Sequence, residues 1–159
     1  MYLALLFYHL TIEETEQVIA YLKLSKSVAK ILRDTANIRI RIKKLAYPEL
    51  KPSYIYRQLH EYSPSAVMAA MLASSSPLAR QHLNTYFHNL RYVKPFLNGD
   101  YLISQGITPG PKVKEIILQI LEAKLDGKAT TREGEEMLLS VLLKEPVPEK
   151  ITMNWTDQF

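Results

Sequence analysis

The sequence has no cysteine, and it contains only five glycines and a single tryptophan. Without cysteine there is no disulfide framework and no cysteine-ligated metal, which favours a reducing compartment, and we expect a cytoplasmic protein. The apolar start, "MYLALLFYHL", is too short to span a bilayer and lacks the basic lead and cleavage site of a signal peptide. We therefore expect no membrane association. This start is either the buried beginning of a helix or a cut inside a larger protein.

Acidic residues are scarce in one long segment. Residues 23–51 contain nine basic residues and two acidic ones, a net charge of +7, whereas the charged residues of the first 22 positions are three glutamates. The basic residues are Lys23, Lys26, Lys30, Arg33, Arg39, Arg41, Lys43, Lys44 and Lys51. Such a segregated block indicates a polyanionic partner, with nucleic acid the first candidate, unless it is simply a solvated helix face.

Signals for β-hairpins are also missing, and signals for helix starts take their place. Thr11–Glu14 ("TIEE") predicts a capping box and a helix reaching to about Leu24, after which Ser25 is the next N-cap. A proline at a first helical position follows a hydroxyl residue at Ser63-Pro64 and at Ser76-Pro77. The pattern predicts an all-α protein of about eight to nine helices with a helix-turn-helix tail.

The stretch "NIRIRIKK" (residues 37–44) alternates like a strand, but it would be the only strand in the chain. A lone strand leaves its backbone groups unpaired, so we predict a helix instead. The predicted helix has an apolar stripe that consists of Val28, Ile31, Ile38, Ile42 and Leu45. Thr35 is the one polar residue in this stripe, and its hydroxyl should donate to a carbonyl one turn earlier. Ile40 lies nearly opposite the stripe.

The second half of the chain carries further stop and start signals. Asp100 is predicted to cap "YLISQ", and Gly106 to end that helix. Thr130–Glu133 ("TTRE") predicts a second capping box, beside an acidic cluster (Glu133, Glu135, Glu136) that dipole complementarity explains better than metal binding. We expect a helical body (residues 1–97), a helical tail (98–145) and a flexible C-terminus (146–159).

Catalytic motifs are missing as well: there is no phosphate-binding glycine loop, no H-E-x-x-H and no D-x-D pair. The stretch "LISQGITPGPKVKEII" (residues 102–117) nevertheless suggests that the chain binds an anion. Backbone N–H groups after Gly110, together with Lys112 and Lys114 on the first helical turn, would form an anion site. The alternative is a plain helix–helix turn. The loop also resembles the helix-hairpin-helix of DNA repair proteins, although its glycines are spaced more widely.

Several short motifs follow one another in an order found in a known family. They are Gly99-Asp100, Gly106, Pro109-Gly110-Pro111, Leu125-Asp126-Gly127 and Thr131-Arg132-Glu133, preceded by "LKPSYIYRQLHEY" and "YFHNLRYVKPFLNGDYL". In this order they resemble the C-terminal region of bacterial-type tRNA nucleotidyltransferases, the CCA-adding enzymes and their poly(A) polymerase relatives. One departure is Lys114, which stands where that family has glycine.

The resemblance implies that catalysis and tRNA binding belong to different regions of the parent protein. In that family an N-terminal catalytic head carries two metal-binding carboxylates and uses a divalent metal (Mg²⁺) with ATP or CTP, while the helical body and tail hold the tRNA. This chain shows no head motif, so the expected partners are tRNA and the catalytic head of the same parent chain. The expected RNA phosphate-binding residues are Gly110, Lys112, Lys114, Arg39, Arg41 and Lys44. Alternatives are a helix-hairpin-helix-like DNA-binding module or a helical protein-interaction domain.

Overall fold

The computed structural model describes residues 2–144, and within that range it contains nine α-helices, one short 3-10 helix and no strand, which confirms the predicted all-α fold. The helices are α1 (Tyr2–Leu6), α2 (Ile12–Tyr21), α3 (Lys26–Leu45), α4 (Pro52–Leu59), α5 (Pro64–Ala73), α6 (Pro77–His88), α7 (Gly99–Ser104), α8 (Pro111–Leu125) and α9 (Arg132–Lys144), with the 3-10 helix at Leu90–Tyr92. Across these residues, no helix is both long enough and apolar enough to cross a bilayer. The segment expected to be flexible, residues 146–159, lies outside the described residues.

The chain divides into two compact units, Met1–Val93 and Lys94–Phe159. We call them the body unit, with α1–α6, and the tail unit, with α7–α9. The sequence interpretation ended the body at residue 97, but residues 94–97 belong to the tail unit. A physical reason is that Glu135 of α9 accepts hydrogen bonds from the backbone N–H groups of Phe96 and Leu97.

Helix α5 lies at the centre of the body unit, between α3 and α6. Four of its ten residues, Ala66, Val67, Ala69 and Ala70, have no solvent exposure at all. A helix that is apolar on all sides belongs in a core. Its small side chains allow α3 and α6 to approach its backbone closely, so α5 is the element on which the longer helices pack.

The alternating stretch at residues 37–44 is helical, as predicted, and forms the second half of α3. Ile38 is completely buried, whereas Ile40 is 57% exposed, so the two isoleucines lie on different faces of the helix. The Thr35 hydroxyl donates to the carbonyl oxygen of Ile31 at 2.7 Å, which confirms the bond back to the preceding turn. The strand-like alternation is therefore a local coincidence on an amphipathic helix.

The capping box at the start of α2 is confirmed. The Thr11 N–H donates to the Glu14 carboxylate at 2.8 Å, and the Glu14 N–H donates to the Thr11 hydroxyl at 3.2 Å. The helix ends at Tyr21, earlier than the predicted Leu24. The reason is that Lys23 adopts a left-handed φ of 47° and the Leu24 N–H turns back to the Ile19 carbonyl, a Schellman-type ending.

Two predicted caps in the tail unit are wrong by one or two residues. Asn98, not Asp100, caps α7, because its side-chain oxygen accepts from the Tyr101 N–H at 2.9 Å. Helix α9 begins at Arg132, so the Thr131 hydroxyl accepts from the Gly134 N–H at 3.1 Å and no box forms at Thr130–Glu133. The prediction that Gly106 ends α7 is confirmed, since its φ is 87°. Gly127, which follows α8, also has a left-handed φ of 74°.

Candidate nucleic-acid interface

The turn between α7 and α8 is anchored by apolar packing beneath it. Leu102 of α7 and Ile107 within the turn are buried and join a cluster with Val113 and Ile116 of α8. The Ile107 N–H bonds to the Leu102 carbonyl at 3.2 Å, which closes the end of α7 around Gly106. The turn therefore holds the start of α8 in a fixed position.

Gly110 is the N-cap of α8 and has backbone angles φ 148° and ψ −159°, a conformation that side-chain-bearing residues rarely adopt. Pro111 occupies the first helical position, and the first turn contains no acidic residue. Lys112 and Lys114 are exposed, and neither has an ion pair or side-chain hydrogen bond within residues 2–144. The structure thus brings the three predicted tail residues together on one solvent-facing helix start, where a positive dipole end meets two ammonium groups.

In the body unit, four of the nine basic residues between positions 23 and 51 form ion pairs or hydrogen bonds with other protein groups. Lys30 pairs with Asp34 at 3.3 Å, and Arg33 pairs with Glu16 of α2 at 2.5 Å. The other two are Arg39 and Arg41, both predicted to bind RNA phosphates. Both are half-buried rather than turned fully to solvent.

Arg39 and Arg41 instead join α3 to neighbouring parts of the body. The Arg39 guanidinium donates to the Leu10 carbonyl at 2.9 Å, in the connection between α1 and α2. Burial raises the pKa of the nearby Tyr8 hydroxyl, and the positive charge of Arg39 opposes that rise. Arg41 approaches the Gln58 side-chain oxygen at 3.4 Å and lies 5.4 Å from the centre of the Tyr62 ring. Their binding of RNA stays a prediction.

The other five basic residues of the block are exposed, and within the described residues they have no ion pair or side-chain hydrogen bond. They are Lys23, Lys26, Lys43, Lys44 and Lys51. The predicted phosphate ligand Lys44 is among them, on the last turn of α3. The basic block is therefore divided: cations along the middle of α3 have protein partners, and those near its two ends face solvent.

Sequence reasoning misses the role of Glu135, which it assigns to a dipole-complementing acidic cluster. It is fully buried, accepts from the N–H groups of Phe96 (2.7 Å) and Leu97 (3.0 Å), and pairs with Lys124 of α8 at 3.1 Å. A signal was present in the sequence. Glu135 lies four residues before the buried Leu139, so it shares the apolar face of α9.

Asp34 and His82 were missed in the same way, because their partners are far away in the sequence. The buried Asp34 carboxylate accepts from the Ser63 N–H at 2.8 Å, just before α5 begins. The His82 imidazole Nδ1 lies 2.9 Å from the carbonyl oxygen of Leu45, the last residue of α3. These contacts fix the ends of helices, so they position the surface rather than form it.

Comparison with known proteins gives one informative result. No family model matches the sequence, and no solved structure matches it closely enough to be informative. However, 97 residues, 61% of this chain, are 33% identical to an A-adding tRNA nucleotidyltransferase of Geobacter sulfurreducens. The matched part is 11% of that protein, so the chain spans only a small share of its relative. The chain therefore contains a region related to a tRNA nucleotidyltransferase.

Proposed function

We propose that this chain is the tRNA-binding, helical C-terminal region of a tRNA nucleotidyltransferase. In this proposal the body and tail units hold the tRNA while the N-terminal catalytic head of the same parent chain extends its 3′ end. The observation that carries the proposal is the 33% identity to an A-adding tRNA nucleotidyltransferase over 61% of the chain. Exposed lysines in each unit give the proposal a physical basis. They are Lys112 and Lys114 in the tail unit and Lys23, Lys26, Lys43, Lys44 and Lys51 in the body unit.

The start of α8 is the proposed phosphate site of the tail. Lysine near a helix N-terminus opposes the dipole at a cost of about 0.5 kcal/mol for each charge. A bound phosphate reverses that cost, because its oxygens accept from the first-turn N–H groups and attract Lys112 and Lys114. Gly110 leaves the approach open, since a side chain would be strained at its φ of 148°.

The body would contribute Lys44 on the last turn of α3. A protein that recognises tRNA by shape needs contacts to phosphates and 2′-hydroxyls and little reading of bases. Exposed lysines on rigid helices are suited to this, because they meet the backbone without sequence preference. Arg39 and Arg41 would add positive potential beneath that surface while holding α3 in place.

The chemistry of nucleotide addition is assigned to the catalytic head, together with Mg²⁺ and ATP or CTP. Residues 2–144 bring together no group of three or more His, Asp or Glu side chains suited to a metal ion, so we derive no metal-dependent step in this chain. Which nucleotides the parent protein adds would be decided in the head. A cytoplasmic location, where tRNA is matured, completes the proposal.

The proposal is tested by fluorescence anisotropy with a labelled tRNA and a DNA duplex of equal length across a salt series. We expect tighter binding to tRNA, weakening steadily as salt rises. Equal affinity for both, or no dependence on salt, would contradict tRNA binding. A preference for the duplex would favour a helix-hairpin-helix DNA module. A protein that stays bound in native mass spectrometry after RNase treatment would favour an interaction domain.

The tail site is tested separately with a charge-matched pair of variants. Replacing Lys112 and Lys114 by alanine should reduce the slope of log affinity against log salt by about one to two, because each lost phosphate contact contributes about 0.7–0.9. The control variant replaces Lys94 and Lys128, two other exposed lysines of the same unit. If the two double variants change the salt slope equally, the tail contributes only general positive charge, and the assignment of a phosphate site to the start of α8 is wrong.

A further inference from the structure

Among residues 2–144, three lysines without an ion pair or a side-chain hydrogen bond lie close in sequence around the turn between α3 and α4. Lys43 and Lys44 are in the last turn of α3, and Lys51 immediately precedes α4. The dipole of α3 accounts for the first two, but a lysine at the start of α4 faces the positive end of a dipole. Glu49 is the one acidic residue of this segment, so residues 43–51 carry a net charge of +2. Within residues 2–144, no acidic side chain forms an ion pair with these three lysines.

Tyr47 lies in the same turn, between these lysines in the sequence, and is 60% exposed. Among the described residues, its ring has no stacking or cation–π partner, unlike Tyr62, which lies beneath Arg41. A large exposed ring between lysines is the arrangement by which proteins bind single-stranded nucleic acid, with bases stacking on the ring and phosphates following the cations. We name Lys43, Lys44, Tyr47 and Lys51 the α3–α4 turn surface.

This surface is fixed by contacts from the rest of the body unit. His82 of α6 lies 2.9 Å from the carbonyl oxygen of Leu45, directly before the turn. The Ala46 N–H bonds to the Lys43 carbonyl at 3.3 Å, and Glu49 is held at a left-handed φ of 57°. A turn ordered before binding loses less conformational entropy when a ligand arrives. The tyrosine is thus presented by a rigid support.

From these observations we infer that the α3–α4 turn surface binds an unpaired segment of RNA: Tyr47 stacks on one base, and Lys43, Lys44 and Lys51 bind phosphates of the same strand. The inference rests on the proposed function, which supplies RNA as the polyanion. It adds a place where unpaired nucleotides are held, since a stacking ring needs the face of a base that is not enclosed in a duplex. The loops and the 3′ end of a tRNA offer such bases.

The stacking role is tested with the full chain, a labelled tRNA and a blunt RNA duplex of equal length. Tyr47→Ala should weaken tRNA binding about tenfold, the usual effect of losing one base–aromatic stack, and leave duplex binding unchanged. Tyr47→Phe keeps the ring and should bind like the wild type. Tyr2→Ala is the control, because Tyr2 is 85% exposed on α1, a helix without lysines. Circular dichroism checks that each variant is folded.

The lysines are tested with two double variants of equal charge. Replacing Lys43 and Lys44 by alanine should reduce the salt slope for tRNA by about one to two. Replacing Lys23 and Lys26, which are exposed near the other end of α3, should change it much less. Equal reductions would show that only total charge matters and would overturn the assignment of phosphates to this surface.

The outcomes separate the inference from the function on which it rests. If wild-type chain binds tRNA but Tyr47→Ala binds it equally well, the stacking site is wrong and the proposed function stands. If Tyr47→Ala weakens duplex and tRNA binding alike, the ring does not recognise unpaired bases and the inference is overturned. If the wild type binds no RNA, both fail together.

Discussion

Among residues 2–144, the body and tail units each bury one carboxylate, and the two carboxylates have different partners. Asp34 of the body accepts one backbone N–H, from Ser63, and pairs with Lys30, whose side chain is 61% exposed. Glu135 of the tail accepts two backbone N–H groups and pairs with Lys124, whose side chain is only 15% exposed. Water can compensate for a lost partner in the body but scarcely in the tail. The smaller unit therefore depends more on one polar centre.

Glu135→Ala should have the largest effect on stability. The substitution leaves two N–H groups without an acceptor and Lys124 without its counter-charge, so we expect the tail to lose about 3–5 kcal/mol of unfolding free energy. Glu135→Gln, which keeps one acceptor oxygen, should lose less. Urea unfolding followed through the amide NMR signals of α8 and α9 measures the loss. A tail as stable as the wild type would show that Glu135 is not its polar centre.

Removing the lysine partners of the two carboxylates should have unequal effects on the two units. Lys124→Met leaves the buried Glu135 carboxylate unpaired and should destabilise the tail by about 3 kcal/mol. Lys30→Met removes a largely exposed partner of Asp34 and should change the body by at most about 0.5 kcal/mol. Both are measured by urea unfolding. Equal effects would mean that exposure does not determine the strength of these pairs.

The body carboxylate gives the next smaller effect. Asp34→Ala should lower the stability of the body by about 2 kcal/mol, because the Ser63 N–H before α5 loses its acceptor. Asp34→Asn is the matched control, since its amide oxygen can still accept that bond. If the two variants are equally destabilised, the loss comes from packing or charge rather than from this hydrogen bond.

Helix caps give the smallest expected effect and test the revised start of α9. Thr131→Ala should cost the tail about 1 kcal/mol, as Thr11→Ala should in the body, because each removes a hydroxyl that accepts a first-turn N–H. Thr130→Ala should be nearly neutral. A larger loss from Thr130 than from Thr131 would restore the cap position suggested by the sequence pattern. Thermal unfolding by circular dichroism is sufficient for this series.

Local patterns in the sequence predicted most of the fold, because caps, prolines and glycines act within a few residues. Where neighbours could serve equally well, the pattern misplaced the cap, as at Asn98 and Thr131. The backbone partners of Arg39 and Glu135 could not be predicted in this way, since Leu10 lies 29 residues from Arg39 and Phe96 lies 39 residues from Glu135. Such contacts depend on how helices pack, which periodicity does not contain.

The complete burial of Ala66, Val67, Ala69 and Ala70 in α5 has a consequence for hydrogen exchange. The backbone amides of these four residues should exchange with deuterium only when the whole body unit opens. Their exchange rate therefore measures how often the body unit opens. Comparing this rate with the exchange rate of the slowest amides of α8 would show whether the two units open together or independently.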